Sequence, residues 1–183
     1  MMRYLLKQKT LNLFFFLFVM TINGTIAQSN ELIIIDSDYA QKQRVLEKAS
    51  QSIPMLEINK SGNPWRTIRN YLEQNRKITT LHLFANTSSG ALKLGGVTYD
   101  SAKVDQEFEF AMLEGLYQGT NYQLLIYDCT LGSNKEGLQL LDKIGGMSYF
   151  IIAVPTNCSS VFNTGLEFDH TTLDQPIAQS ILN

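Results

Sequence analysis

Few residues in this chain could carry covalent chemistry. It holds two cysteines, Cys129 and Cys158, and two histidines, His82 and His170. A cysteine attacks as the thiolate, and a nearby imidazole can take its proton and stabilise the anion. Cys129 closes the run Leu124-Leu125-Ile126-Tyr127-Asp128, which reads as a strand and its end. About forty residues earlier stands Leu81 to Gly96, LHLFANTSSGALKLGG. It opens as a strand, breaks into the polar loop Thr87-Ser88-Ser89-Gly90 and closes in an alternating run. His82 lies in the first strand, roughly 13 Å short of Asn86 at the strand's end. That position predicts a sheet-facing, buried imidazole. Nothing in the sequence places His170 near Cys129. Asp128 also works against the reaction, because a neighbouring carboxylate disfavours a thiolate.

Other chemistries find no frame. The histidines and cysteines lack metal-ligand spacing, and Asp36 with Asp38 reads as a strand end followed by a helix cap. Thr87 to Gly90 lacks the spacing of a phosphate loop. No cofactor is expected. Asn86-Thr87-Ser88 and Asn157-Cys158-Ser159 match a glycosylation pattern too short to carry weight alone.

The elements that would position these groups alternate. Glu31 to Asp36 is a continuous apolar run, as in a buried parallel strand. A helix from about Tyr39 to Ser50 follows, its start marked by Asp38 and Gln41, with Val45, Leu46 and Ala49 on one face. Met55 to Asn59 is a second strand. Asn63-Pro64 opens a helix carrying Trp65, Ile68 and Leu72, and that spacing makes Trp65 core. Thr79 to Phe84 is the third strand. Gly95-Gly96 turns a hairpin that returns through Val97 and Tyr99. Asp100 or Ser101 caps one helix bearing Val104, Phe108, Ala111 and Met112. Tyr122 to Tyr127 is the fourth strand. A helix from Asn134, with Leu138 and Leu141 inside, stops at Gly145-Gly146. Tyr149 to Val154 is the fifth strand, ended by Pro155. Such alternation predicts an α/β domain with a mostly parallel sheet, and chemistry in such sheets gathers at the carboxyl ends of the strands. Asn86 and Cys129 both lie just past such ends. Residues 165–183 form a tail with an extra strand and a short helix.

The first 27 residues read as a signal peptide: Arg3, Lys7 and Lys9, then the apolar run Leu11 to Ile22, then Thr25-Ile26-Ala27. The run is shorter than the ~20 residues that span a bilayer; an N-terminal membrane anchor is the other reading. Removing this leader takes three of the 15 basic residues and none of the 17 acidic ones, so the net charge moves from −2 to −5. That balance points away from nucleic acid and anionic membrane. Two cysteines in an exported chain predict a disulfide, Cys129 to Cys158, with two unpaired cysteines as the alternative. The closed loop would contribute roughly 3–4 kcal/mol.

The blocks ELIIIDS, LHLFANTSSGALKLGG and LLIYDCTLG together resemble a bacterial domain of unknown function with a caspase-like fold, the N-terminal module of large secreted repeat proteins and adhesins. The likeness runs from Glu31 to about Asn157. It implies a three-layer caspase-like sandwich over residues 28–164, with sheet order 2-1-3-4-5. In the family the first block reads Ser-His-Gly where this chain has Ala85-Asn86-Thr87. The second has Gly-Cys where this chain has Asp128-Cys129. The nucleophile position is kept at Cys129, and the histidine position is taken by Asn86.

An amide cannot take a proton at neutral pH, and loss of a general base commonly costs about 10²–10⁴ in rate. The expected function is a secreted, periplasmic or surface-exposed pseudopeptidase that binds an unidentified protein or peptide or has a structural role, with Thr87, Ser88, Ser89, Gly90 and Asp128 as the binding residues. The rival is a cysteine peptidase or self-processing domain using Cys129.

Overall fold

The computed structural model describes residues 29–117, 121–157, 161–162 and 165–182. The leader and Cys158 lie outside them. Five parallel strands form the main sheet: β1 (Glu31–Asp36), β2 (Met55–Ile58), β3 (Thr80–Phe84), β7 (Gln123–Ile126) and β8 (Ile151–Val154). The short antiparallel β9 (His170–Thr171) completes the order β2-β1-β3-β7-β8-β9. A second antiparallel sheet holds β4 (Asn86–Ser88), β5 (Ala91–Leu94) and β6 (Val97–Tyr99).

The helices are α1 (Lys42–Lys48), α2 (Pro64–Gln74), α3 (Ser101–Asp105), α4 (Glu109–Leu116), α5 (Cys129–Gly132) and α6 (Lys135–Ser148). Their placement follows from handedness. The chain steps one way from β1 to β2, then the other way through β3, β7 and β8. Crossovers between parallel strands are right-handed, so α1 falls on one face and α2, α4 and α6 on the other. The helix-rich face buries Leu32, Ile34, Leu81, Leu83, Leu124 and Ile152 against Trp65, Ile68, Leu113 and Ile144. The opposite face buries Ile33, Ile35, Phe84, Leu125, Tyr127 and Ala153. There Val45 of α1 covers one part, and Phe168 and Leu182 of the C-terminal segment cover the rest. The tail supplies its expected extra strand as β9; its described residues form no helix.

Several local expectations change. Asp38 caps nothing: α1 begins at Lys42 with no side-chain cap, and Leu46 is exposed. The Val104–Met112 helix is two helices. The chain breaks between them at Gln106 to Phe108, and the second turns Phe110 and Leu113 inward while Phe108 and Met112 face solvent. The break seats two buried carboxylates. Glu107 accepts from Asn63 Nδ2 at 3.0 Å, and Glu109 accepts from Arg66 Nε and Arg69 Nε, each at 2.7 Å. Gly145-Gly146 does not stop α6, which runs on to a left-handed Tyr149. The Gly95-Gly96 hairpin forms as expected: both residues have positive φ, and a Cβ on Gly95 would sit 2.7 Å from Pro64 Cγ.

Candidate functional site

Three adjacent strands, β1, β3 and β7, deliver the candidate residues to one rim of the sheet. Apolar runs set the strands, and each run ends on a short polar side chain that stops the pattern. At the end of β1, Asp36 is buried, and both of its oxygens accept from backbone. Oδ1 takes the Asp38 N–H at 2.7 Å and Oδ2 takes the Gly95 N–H at 2.6 Å. One carboxylate thus fastens the β5–β6 turn to the main sheet. Its neighbour Asp38 turns outward and pairs with Lys60 at 2.6 Å, a hydrogen bond that holds the Asp38 carboxyl below its ordinary range.

Asn86 opens β4, directly beyond β3. Its Nδ2 donates to the Asp38 carbonyl at 3.1 Å, and its Oδ1 accepts from the Ala40 N–H at 3.5 Å. Both ends of the amide are therefore engaged with the loop after β1. The strand order reverses between β1 and β3, and open α/β sheets hold their ligands in the crevice at such a reversal. Asn86 stitches the two sides of that crevice together.

The polar loop expected over Thr87 to Gly90 is instead an antiparallel hairpin. Thr87 pairs with Leu92 and Ser88 with Ala91, and only Ser89-Gly90 forms the turn. These residues present the edge of the small sheet. Thr87 Oγ1 is enclosed without a hydrogen-bond partner.

Beyond β7, Asp128 accepts from the Thr130 N–H at 2.7 Å and starts the single turn of α5 with Cys129 as its first residue. An extended residue before a short helix suits such a cap. The α5 turn packs against β4, so the structure brings the Cys129 and Asn86 positions to one place. Cys129 is largely buried, and among the described residues no cysteine is free. Tyr39 lies at the same rim, on Phe84. Its burial and the nearby Asp128 charge push its phenol up to about 12. Tyr39 therefore stays a neutral hydroxyl.

Neither histidine serves Cys129. His82 is wholly buried on the face opposite most helices, and burial drives its imidazole down to about 4. Its Nδ1 is 3.0 Å from the Tyr127 hydroxyl. His170 pairs with Val154 on β9, two strands across from β7. At the usual strand spacing that is about 10 Å sideways from the Cys129 end of the sheet. Among the described residues no cluster of metal-ligating side chains occurs, and no helix is long and apolar enough to cross a membrane.

Tyr39 and Tyr127 carry no role in the sequence pattern, and Asp36 reads there only as a strand end. The signal for Asp36 was present: a carboxylate ending ELIIID, and a Gly-Gly turn with a free N–H to offer. Nothing local marks the two tyrosines.

The family model described as "Domain of unknown function (DUF4347)" matches residues 32–164. No curated protein and no solved structure matches significantly.

Proposed function

The chain belongs to the DUF4347 family, a domain of unknown function, and from that premise we propose that it is a secreted caspase-like module that has kept the frame of a cysteine peptidase and lost the reaction. Its role is then to bind a protein or peptide partner, or to act structurally, outside the cytoplasm. One observation carries this reading. The residue at the histidine position is engaged in structure: both polar ends of the Asn86 amide meet the backbone of Asp38 and Ala40. A general base needs a free lone pair of suitable pKa within reach of the thiol, and an amide offers none. The proposed three-layer sandwich agrees with this, since Asn86 and Cys129 stand at the ends of neighbouring strands, as a His/Cys pair would.

The test is a gain of function. Asn86→His with Asp128→Gly restores the pair of residues the resemblance implies. Peptide hydrolysis in that double variant, absent in the natural chain and abolished again by Cys129→Ala, would support the reading. The rival, a peptidase using Cys129 with another base, gains if iodoacetamide at neutral pH alkylates Cys129 rapidly in the natural chain.

Cys129 is proposed to be bridged to Cys158. β7 and β8 are adjacent and parallel, so the chain leaves both at the same rim, with Cys129 soon after the first and Cys158 four residues in sequence after the second. Intact mass of the exported protein before and after reduction decides this. Alkylation of two thiols without prior reduction would rule the bridge out.

A further inference from the structure

Right-handed crossovers leave one region of the sheet without a helix. On the face that carries α1, among the described residues, the β7–β8 side is covered by the C-terminal segment. Phe168 meets Tyr127 edge-on at 5.1 Å, and Leu182 is buried beside it. Polar contacts fix the last residues. Gln123, at the start of β7, accepts the Ala178 N–H at 2.7 Å and donates to the Pro176 carbonyl at 3.0 Å. The Tyr127 hydroxyl accepts the Ile181 N–H at 2.9 Å.

The same hydroxyl lies beside His82. A phenol that accepts from Ile181 can give its own proton to His82 Nδ1, 3.0 Å away. This fixes the neutral imidazole with its proton on Nε2, which is buried and has no hydrogen-bond partner. The Glu31 carboxylate on β1 faces that nitrogen at 3.9 Å. The neighbours in register, Ile33 on β1 and Leu125 on β7, are apolar. From the C-terminal segment, the groups at the shared hydroxyl are the Ile181 N–H and the Ser180 side chain. A second proton on the ring would land on Nδ1, turning the acceptor of the Tyr127 proton into a donor. The phenol would then have to turn its own proton away from the ring, toward Ser180, and a charge would lie in an apolar layer.

We propose that residues 176–182 are an acid-released strap, latched to the sheet through Ile181, Tyr127 and His82, whose departure uncovers the apolar face that includes Tyr127, two residues before Cys129. Glu31 does not cancel the effect, because at 3.9 Å it makes no hydrogen bond to the ring and sits at a half-exposed edge.

Amide exchange on the full chain tests this, with protection factors corrected for intrinsic rates at each pH. Between pH 7 and pH 4 the protection of Ala178, Ile181 and Leu182 should fall about a hundredfold, the factor set by a histidine held far below its ordinary range while the strap is docked. Leu81 and Leu83 on β3, which open only with the whole fold, should stay better protected than the strap at every pH. The loss should vanish in His82→Gln, which cannot titrate. Should that variant fail to fold, the imidazole titration of the natural chain serves instead, and its midpoint should coincide with the loss of strap protection. Strap amides that stay protected through the His82 titration would overturn the proposal. So would strap amides no less protected than those of β3, because the strap would then open only with the whole fold.

Discussion

At the scale of single residues, the rim is held by side chains that look catalytic in sequence and act as fasteners in the fold. Asp36 accepts two backbone N–H groups while buried, so Asp36→Ala strands the Gly95 and Asp38 donors and is expected to cost about 3 kcal/mol. Urea unfolding measures it, and a loss within error of zero would reject the fastening role. Asn86→Ala removes a longer, partly exposed pair of bonds, so about 1 kcal/mol is expected in the same assay. The contrast between the two matters. Asn86 can be exchanged at modest cost, so Asn86→His is a fair test of chemistry rather than of folding. The strand-end positions of Cys129 and Asn86 were legible in the apolar runs, and their approach followed from the sheet order that the resemblance implies. The engagement of Asn86 with Asp38 and Ala40 was not, since it joins residues 46 and 48 positions apart.

At the scale of elements, strands and the Gly95-Gly96 hairpin were readable because period and turn chemistry are local. The break between α3 and α4 was not. Val104, Phe108 and Met112 keep helical spacing, but Glu107 and Glu109 have partners on α2, and satisfying two buried carboxylates outweighs a continuous apolar stripe. Burial raises the Glu109 carboxyl, yet the hydrogen bonds from Arg69 and Arg66 leave it below its ordinary range. Its contribution is thus complete above the unfolded carboxylate range and is lost as pH falls through the lowered value. Glu109→Ala removes the acceptor of both arginines, but Arg66 is largely exposed and Arg69 keeps Glu73, so about 1–2 kcal/mol is expected by urea unfolding. Likewise α5 and α6 meet closely at Gly137, where a Cβ would run into the Leu131 carbonyl. Gly137→Ala is expected to cost about 3 kcal/mol by thermal or urea unfolding, through overpacking that pushes the Cys129 turn off β4.

At the scale of the whole molecule, one reversal of strand order explains both the site and the strap. It puts Asn86 at the crevice between β1 and β3, and it leaves half of one face to the C-terminal segment, whose apolar residues are too scattered to announce that task in sequence. The same arrangement makes the fold acid-sensitive through His82. Its pKa is depressed to about 4, so its penalty is absent above the ordinary histidine value of about 6.5 and grows as pH falls to the depressed one. A loss of about 3 kcal/mol in unfolding free energy between pH 7 and pH 4 is expected, and His82→Gln should lose correspondingly less. The account stands or falls on the rim. The direct measurement is to incubate the purified protein, with and without reductant, with a diverse peptide library, beside Cys129→Ala. The expected result is no cleavage by the natural chain in either condition, since reduction frees a thiol but supplies no base. Cleavage by the natural chain that disappears in Cys129→Ala would contradict it.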